Sequence, residues 1–168
     1  MRAAVYYRND DVRIEEVPVP AVGPGEALLR VEASGICGSD VLEWYRTRKA
    51  PLVLGHEVAG TIAAVGAGVG HLAPGDRVVA SHHVPCGTCR RCLAGNDTVC
   101  ETLRTTTFDP GGFAEMVRLP AINVDRGVYP IPAGTSYVLE SFTEPMACEV
   151  RPQARAAMRH GPSVLVMG

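Results

Sequence analysis

Four cysteines between residues 85 and 100 constrain this chain more than any other feature. In PCGTCRRCLAGNDTVC, Cys86, Cys89 and Cys92 recur at intervals of three, and Cys100 follows after seven further residues. Two residues between cysteines let one tight loop direct several sulfurs at a common point, and four thiolates complete the tetrahedral coordination of zinc. Because no coordination position stays open, the pattern predicts a structural zinc lobe over residues 85–104 and a reactive centre elsewhere.

Three other interpretations of the cluster differ in how well they fit. A bacterial ferredoxin places its fourth cysteine after three residues and follows it with proline, whereas here seven residues intervene and Glu101 follows. Two disulfides would require an oxidising compartment, of which the sequence gives no other sign. A nucleic-acid zinc ribbon would use Arg90, Arg91 and Arg104, but these arginines also offset the negative charge of four zinc-bound thiolates. Structural zinc is the favoured interpretation.

Composition and charge narrow the class of protein. The 168 residues are 46% hydrophobic and 20% charged, with a formal net charge of −2, which fits one globular domain and the beginning of another. The near-neutral charge predicts no nucleic-acid partner, and the lack of a long apolar segment predicts no membrane partner. Charges interrupt the first twenty residues, unlike a secretory signal. With four of the six cysteines in one cluster, we expect a reducing, cytoplasmic location.

Short apolar segments separated by 18 glycines and 13 prolines predict a mainly β fold. Ser39 is predicted to cap a short helix, and the clearest helical pattern starts at Pro152. The chain then reads SVLVMG, an apolar strand ending in Gly168, as at the start of a dinucleotide-binding unit. Strands are predicted at residues 2–7 and 12–17, from residue 27, within 51–70, at 76–79, and from 111 to 132.

A second set of metal-binding side chains lies in GICGSD at residues 35–40 and GHE at residues 55–57. Cys37, His56 and Glu57 supply a thiolate, an imidazole and a carboxylate, and catalytic zinc combines such ligands in sets of three with one exchangeable position. An isolated Cys37 is more often a small buried hydrophobe, and an isolated His56 a core histidine. The glycines flanking both segments favour the metal site, because they let the backbone bend each ligand inward.

With these residues in place, the chain resembles the N-terminal, GroES-like catalytic domain of the zinc-dependent medium-chain dehydrogenases, the alcohol and polyol dehydrogenase family. GHEVAGTIAAVGAGV fits the family signature, GDRV at Gly75–Val78 is typical of it, and the four-cysteine lobe has its spacing. The resemblance implies a partly open β-barrel with a zinc-binding lobe and short helices over residues 1–150. It further implies a linking helix and the first strand of a Rossmann domain over residues 151–168.

The resemblance also implies roles for individual residues. Cys37 and His56 would bind a catalytic zinc ion, and Asp40 would orient His56 through its other ring nitrogen. Ser39 would carry the substrate proton outward.

The third zinc ligand is left open between two glutamates. Glu144, in EPMAC, falls where the polyol and sugar branch of the family carries a glutamate, and Glu57 is a direct ligand in some of that branch. A thiolate, a neutral imidazole and one carboxylate already balance the charge of zinc. We therefore expect Glu57 and Glu144 to share the position, directly or through water.

The implied reaction moves hydride from the zinc-bound secondary hydroxyl of a small alcohol, polyol or sugar to NAD or NADP, in an enzyme that forms a homo-oligomer when complete. Gly168 would be the first glycine of the cofactor-binding turn. Since the rest of that turn does not follow it, the chain is expected to hold the catalytic-domain part and to be inactive alone. The alternative is a non-catalytic zinc-binding or assembly module derived from a truncated dehydrogenase.

Overall fold

The computed structural model describes residues 1–158, 161 and 163–165. Its eight strands form two antiparallel sheets, one of three strands in the order β2-β1-β4 and one of five in the order β7-β3-β5-β6-β8. Within the described residues neither sheet closes on itself. The strands are β1 (Arg2–Arg8), β2 (Asp11–Glu16), β3 (Ala27–Gly35), β4 (Leu52–Val53), β5 (Glu57–Val65), β6 (Arg77–Ser81), β7 (Met116–Leu119) and β8 (Val128–Pro130).

Six α-helices and two single 3₁₀ turns complete the regular structure of the described residues, and the last two helices follow the last strand. The 3₁₀ turns cover Gly38–Val41 and Asp97–Val99. The helices are α1 (Glu43–Arg46), α2 (Arg90–Leu93), α3 (Glu101–Thr105), α4 (Ala121–Arg126), α5 (Tyr137–Glu140) and α6 (Thr143–Arg155). Mainly β structure with short helices is therefore confirmed. No helix in the described part of the chain is both long enough and apolar enough to cross a membrane.

The hydrophobic core lies on one face of the five-stranded sheet. Along β3, Ala27 and Leu29 are fully buried while Arg30 is exposed, as expected for a strand with one face in the core. Burial of each large aliphatic side chain contributes about 1.5–3 kcal/mol. Besides these two residues, the core includes Val58, Ile62, Val78, Ala80, Phe108, Val117, Leu119 and Val124.

Residues 111–115 join the two sheets and fix the loop before β5. The backbone oxygen of Phe113 accepts a hydrogen bond from the Ala4 amide at 2.8 Å, and the Phe113 amide donates to Leu54 at 2.9 Å. Gly55 has φ +91°, and an added Cβ there would overlap the Phe113 backbone. Only glycine adopts this conformation at no steric cost, so this contact sets the position of the residues that follow Gly55.

The predicted hairpin is confirmed by β1 and β2, and the strands expected near residues 27, 57 and 77 are present as β3, β5 and β6. The cap predicted at Ser39 is wrong: the Cys37 side chain accepts from the Ser39 amide at the start of the 3₁₀ turn. Pro152 does not open a helix but lies inside α6, which begins at Thr143. Its missing N–H costs one hydrogen bond close to the helix end.

Two further strand predictions fail. Residues 121–126 form α4 rather than a strand, and within it the buried Asn123 side chain donates to the carbonyl oxygens of Ser81 and His82. In the predicted strand SVLVM, residues 163–165 are described and form no strand; Val164 and Leu165 are exposed, so no neighbouring strand covers them. Gly168 lies outside the described residues, and the domain boundary at residue 150 stays a prediction.

Replacing Gly60 with alanine should destabilise the five-stranded sheet. An added Cβ would overlap the carbonyl oxygen of Arg30 on β3, and overpacking of this kind costs roughly 1–3 kcal/mol. Urea denaturation should show this decrease in the free energy of unfolding. Gly70→Ala is the matched control, because nothing lies within 4 Å of its added Cβ. Equal stabilities for the two variants would contradict the close approach of β3 and β5.

Candidate metal centres

The four cysteines of the lobe converge on one point. Neighbouring sulfurs are 3.5 Å apart for Cys89–Cys92, 3.7 Å for Cys86–Cys100, and 3.9 Å for both Cys86–Cys92 and Cys89–Cys100. Four sulfurs placed tetrahedrally at about 2.3 Å from zinc are about 3.8 Å apart. All four cysteines are free, and these separations far exceed the roughly 2 Å of a disulfide. The donor set therefore fits one tetrahedral zinc ion.

Backbone groups and one arginine hold the lobe in this shape. The amides of Cys86 and Cys89 point at the sulfurs of Cys100 and Cys86, at 3.5 and 3.3 Å. The Arg126 guanidinium donates to the Cys86 carbonyl oxygen. Hydrogen bonds from Thr88 lower the pKa of Cys86 to about 5, whereas burial raises the pKa of Cys92 to about 12. A divalent cation would remove the repulsion that opposes ionisation of all four thiols.

A second group of potential ligands forms where β3 and β5 meet. A sulfur of Cys37, a ring nitrogen of His56 and a carboxylate oxygen of Glu57 all lie within 4.8 Å of one another. Glu57 pairs with Gly35 across the two strands, and an added Cβ at Gly35 would overlap the Glu57 carboxylate. Gly35 is thus needed for space. The strand pairing brings together side chains that are twenty residues apart in the sequence.

Asp40 connects the Cys37 segment of this group to His56. Its side chain is 4% exposed, and its Oδ2 accepts a hydrogen bond from the Cys37 amide at 3.1 Å. Its Oδ1 lies 3.6 Å from His56 Nδ1 and 3.3 Å from Arg46 Nη2. One buried carboxylate therefore faces the backbone of Cys37, the ring of His56 and a compensating guanidinium.

Ser39 lies in the same turn, and its contacts involve a residue that the sequence analysis missed. Arg46 Nη2 donates to Ser39 Oγ at 3.0 Å, and Arg46 Nε donates to the Ser39 carbonyl oxygen at 2.8 Å. Arg46 ends α1, which directly follows the Ser39 turn. A basic residue at the end of a helix usually interacts with the helix terminus, so its position in the sequence does not predict a contact with Ser39.

The two glutamates proposed to share the third position differ in location. Glu57 is 7% exposed and belongs to the cluster. Glu144 is not one of the side chains whose ligand atoms come together there. Burial raises the pKa of Glu57; the charge of His56 opposes this and that of Glu144 adds to it. Glu144, in the first turn of α6, accepts a contact from Cys148 Sγ at 3.6 Å. It lies near the cluster but outside it.

Two histidines beside the cluster were also missed. The ring of His82 lies between those of His56 and His83 and is tilted against both, with its centroid 4.6 Å from the first and 3.8 Å from the second. Burial lowers the pKa of His82 to about 3, so the ring is neutral at neutral pH. Asn123 Nδ2 donates to the carbonyl oxygens of Ser81 and His82 at 2.8 and 3.0 Å. In the sequence, two consecutive histidines directly after a predicted strand could have indicated these side chains as site residues.

A cavity of about 610 Å³ opens next to the cluster. Its lining includes Ser39, Asp40 and His56 on one side and residues 104–108 on another. Tyr45 lines it, whereas its neighbour Trp44 does not. The volume lies in the usual range for small-molecule sites. Of the three cluster residues, His56 lines the cavity, so a small molecule there would reach the cluster at His56.

Comparison with known proteins agrees with this geometry. Residues 23–133 match the alcohol dehydrogenase GroES-like domain. The chain is 34% identical to sorbitol dehydrogenase of Bacillus subtilis (strain 168) over 176 aligned positions, which cover 100% of this chain and 49% of that protein. It is 39% identical over 162 positions to L-threonine 3-dehydrogenase of Rhizobium etli (strain CIAT 652), covering 92% and 46%. The chain thus spans about half the length of these relatives.

A solved structure of a related dehydrogenase superposes on the chain. The crystal structure of a short chain alcohol dehydrogenase from E. coli CFT073, complexed with the cofactor NADH, superposes with a TM-score of 0.78 at 32% identity. The match covers 94% of this chain and 46% of that one. The GroES-like fold expected from the sequence is confirmed.

Removing one thiolate should remove the metal of the lobe. We expect Cys92→Ser to lose one zinc ion per chain and to lower the melting temperature by about 10 °C or more, since 1 kcal/mol corresponds to roughly 2–4 °C at this size. Zinc analysis and thermal denaturation of the same preparation measure both effects. Cys148→Ser, a change at an exposed cysteine outside the lobe, should keep that zinc ion. Unchanged zinc content in Cys92→Ser would contradict the site.

Proposed function

The chain belongs to the family of the alcohol dehydrogenase GroES-like domain, and on that premise we propose that it is the metal-binding part of a zinc-dependent oxidoreductase. The proposed reaction transfers hydride from the hydroxyl-bearing carbon of an alcohol, polyol or sugar to NAD or NADP. The observation that carries the proposal is the convergence of Cys37, His56 and Glu57 beside a cavity of about 610 Å³. A site that served structure alone would need no open side.

The donor set suits a catalytic zinc ion. One thiolate, one neutral imidazole and one carboxylate balance its two positive charges, and three ligands leave one position for substrate. When bound, zinc supplies a Lewis acid that makes an alcohol hydroxyl more acidic. Because Nδ1 of His56 faces Asp40 at 3.6 Å, we assign Nε2 as the metal-binding nitrogen. Asp40 then holds the ring in the orientation and tautomer that binding requires.

We assign Glu57 as the third ligand and Glu144 as a nearby carboxylate that does not bind the metal directly. Glu57 belongs to the cluster and Glu144 does not. A second ligated carboxylate would leave the site negatively charged and oppose loss of the substrate proton.

Ser39 is positioned to accept the substrate proton. Its hydroxyl lines the cavity, and one lone pair is occupied by the bond from Arg46 Nη2 at 3.0 Å. Arg46 carries donors and no acceptor, so it cannot take a proton from Ser39. The proton therefore leaves Ser39 toward the water of the cavity, and Arg46 acts as a positioning residue.

The substrate and the compartment are inferred more broadly. Relatives named for sorbitol and for L-threonine support a hydroxyl group on a small polar molecule. The NADH complex of the E. coli relative supports a nicotinamide cofactor. Free cysteines throughout the chain support a reducing compartment such as the cytoplasm. We also propose that the complete enzyme is a homo-oligomer without nucleic-acid or membrane partners.

The number of bound zinc ions tests this function against a non-catalytic module. The chain should bind two zinc ions and His56→Ala should bind one, because the four-cysteine lobe does not depend on His56. Elemental analysis after gel filtration measures the ratio. His71→Gln changes a histidine that lies in neither cluster and should keep both ions. A single zinc ion in the unchanged chain would favour the module.

The proton path is tested at Ser39. In a protein that joins this chain to a nicotinamide-binding domain, Ser39→Ala should lower kcat for alcohol oxidation about a hundredfold, the usual scale for a lost proton transfer. Ser39→Thr should retain most of the rate, because it keeps a hydroxyl. Equal kcat values for the alanine variant and the parent would remove Ser39 from the path, whatever the effect on KM.

A further inference from the structure

The charges that line the cavity are unbalanced. Four of the lining residues have acidic or basic side chains other than histidine: Asp40, Arg46, Lys49 and Arg104. Arg46 lies 3.3 Å from Asp40 and balances it. Neither Lys49 nor Arg104 forms a salt bridge with a carboxylate in the described part of the chain. Two positive charges thus face the cavity in a chain whose formal net charge is −2.

Lys49 is held in place from α1. Its Nζ donates to the Tyr45 hydroxyl at 3.2 Å and lies 4.8 Å from the centre of the Tyr45 ring. Both residues line the cavity. A lysine restrained by an aromatic ring loses less freedom on binding an anion than a free surface lysine does.

The backbone of Arg104 is anchored at the zinc lobe. It lies in α3, whose first residue follows Cys100, and its amide donates to the Cys100 carbonyl oxygen at 3.3 Å. The three threonines that follow, residues 105–107, line the same wall of the cavity. The Thr105 and Thr106 hydroxyls already donate to backbone carbonyl oxygens of α3, so the Arg104 guanidinium is the charged donor on this wall from which phosphate or carboxylate oxygens can accept.

Resting on the function proposed above, we propose that the substrate is an alcohol with an anionic group, a phosphate or a carboxylate, which Lys49 and Arg104 bind while its hydroxyl faces Cys37 and His56. A neutral polyol would leave the positive charges of Lys49 and Arg104 without a counter-charge, because the one carboxylate of the lining, Asp40, is already bound by Arg46 and the Cys37 amide. The cavity is sized for a small molecule, which excludes a macromolecular polyanion.

Three six-carbon probes separate the contributions of charge and hydroxyl groups: sorbitol, gluconate and sorbitol 6-phosphate. Calorimetry on the zinc-loaded chain should show gluconate or sorbitol 6-phosphate binding about tenfold or more tightly than sorbitol, as charge-assisted hydrogen bonds are about twice as strong as neutral ones. Whichever anion binds more tightly identifies the group. Equal affinities for all three probes would overturn the proposal.

Variants locate the site. Lys49→Gln and Arg104→Gln should each weaken binding of the anionic probe about tenfold, and each should leave sorbitol binding unchanged. Arg48→Gln is the matched control, because Arg48 is an exposed neighbour of Lys49 that does not line the cavity. An equal loss of anion affinity in Arg48→Gln would show general surface attraction and overturn the proposal. Displacement of the probe by NADP would assign the two charges to the cofactor and also overturn it.

His56→Ala separates this inference from the proposed function. If the chain binds two zinc ions and the anionic probe, removal of His56 should eliminate one ion and keep most of the anion affinity, because Lys49 and Arg104 remain. If the chain binds one zinc ion, the dehydrogenase proposal fails independently of anion binding. If inorganic phosphate binds as tightly as sorbitol 6-phosphate, the alcohol part of the probe contributes nothing to the affinity. That result would overturn the assigned substrate class.

Discussion

The antiparallel pairing of β3 and β5 is the constraint on which the rest of this structure depends. Their register runs from Ala27↔Val65 to Gly35↔Glu57 and includes two irregularities. A slip of one residue would turn Glu57 to the opposite face and bury polar side chains in the core. The same register places Cys37, just beyond the end of β3, beside His56, just before β5. Core packing therefore specifies the ligand geometry.

The two metal-binding groups are parts of one arrangement. From β6 the chain passes through His82 and His83, which lie beside the cluster of Cys37, His56 and Glu57, into the cysteine lobe. After the lobe, α3 returns to the wall of the same cavity. A lobe whose sulfurs are fixed by one ion needs little hydrophobic core of its own. It can therefore hold a polar wall of arginine and threonines at the cavity, which packing alone would not order.

The sequence predicted those features that depend only on residues close together in the chain. Cysteine spacing predicted the lobe, and turn residues predicted the hairpin, because both patterns are contained in short segments. Asn123 was missed because its partners, Ser81 and His82, are about forty residues away. Arg46 was missed for a related reason: its role depends on how two successive helical turns fold against each other. That Glu57, and not Glu144, lies with Cys37 and His56 depends on strand register, which spacing alone does not provide.

Asp40 and Glu57, two buried carboxylates in one site, differ in how their charge is balanced. An ionised carboxylate without a partner costs several kcal/mol to bury. Asp40 avoids this cost through Arg46 and the Cys37 amide. Glu57 has no salt bridge to a basic side chain in the described part of the chain, and it lies beside the Cys37 sulfur. A divalent cation bound by both side chains is the simplest compensation, so the burial of Glu57 itself argues for the metal.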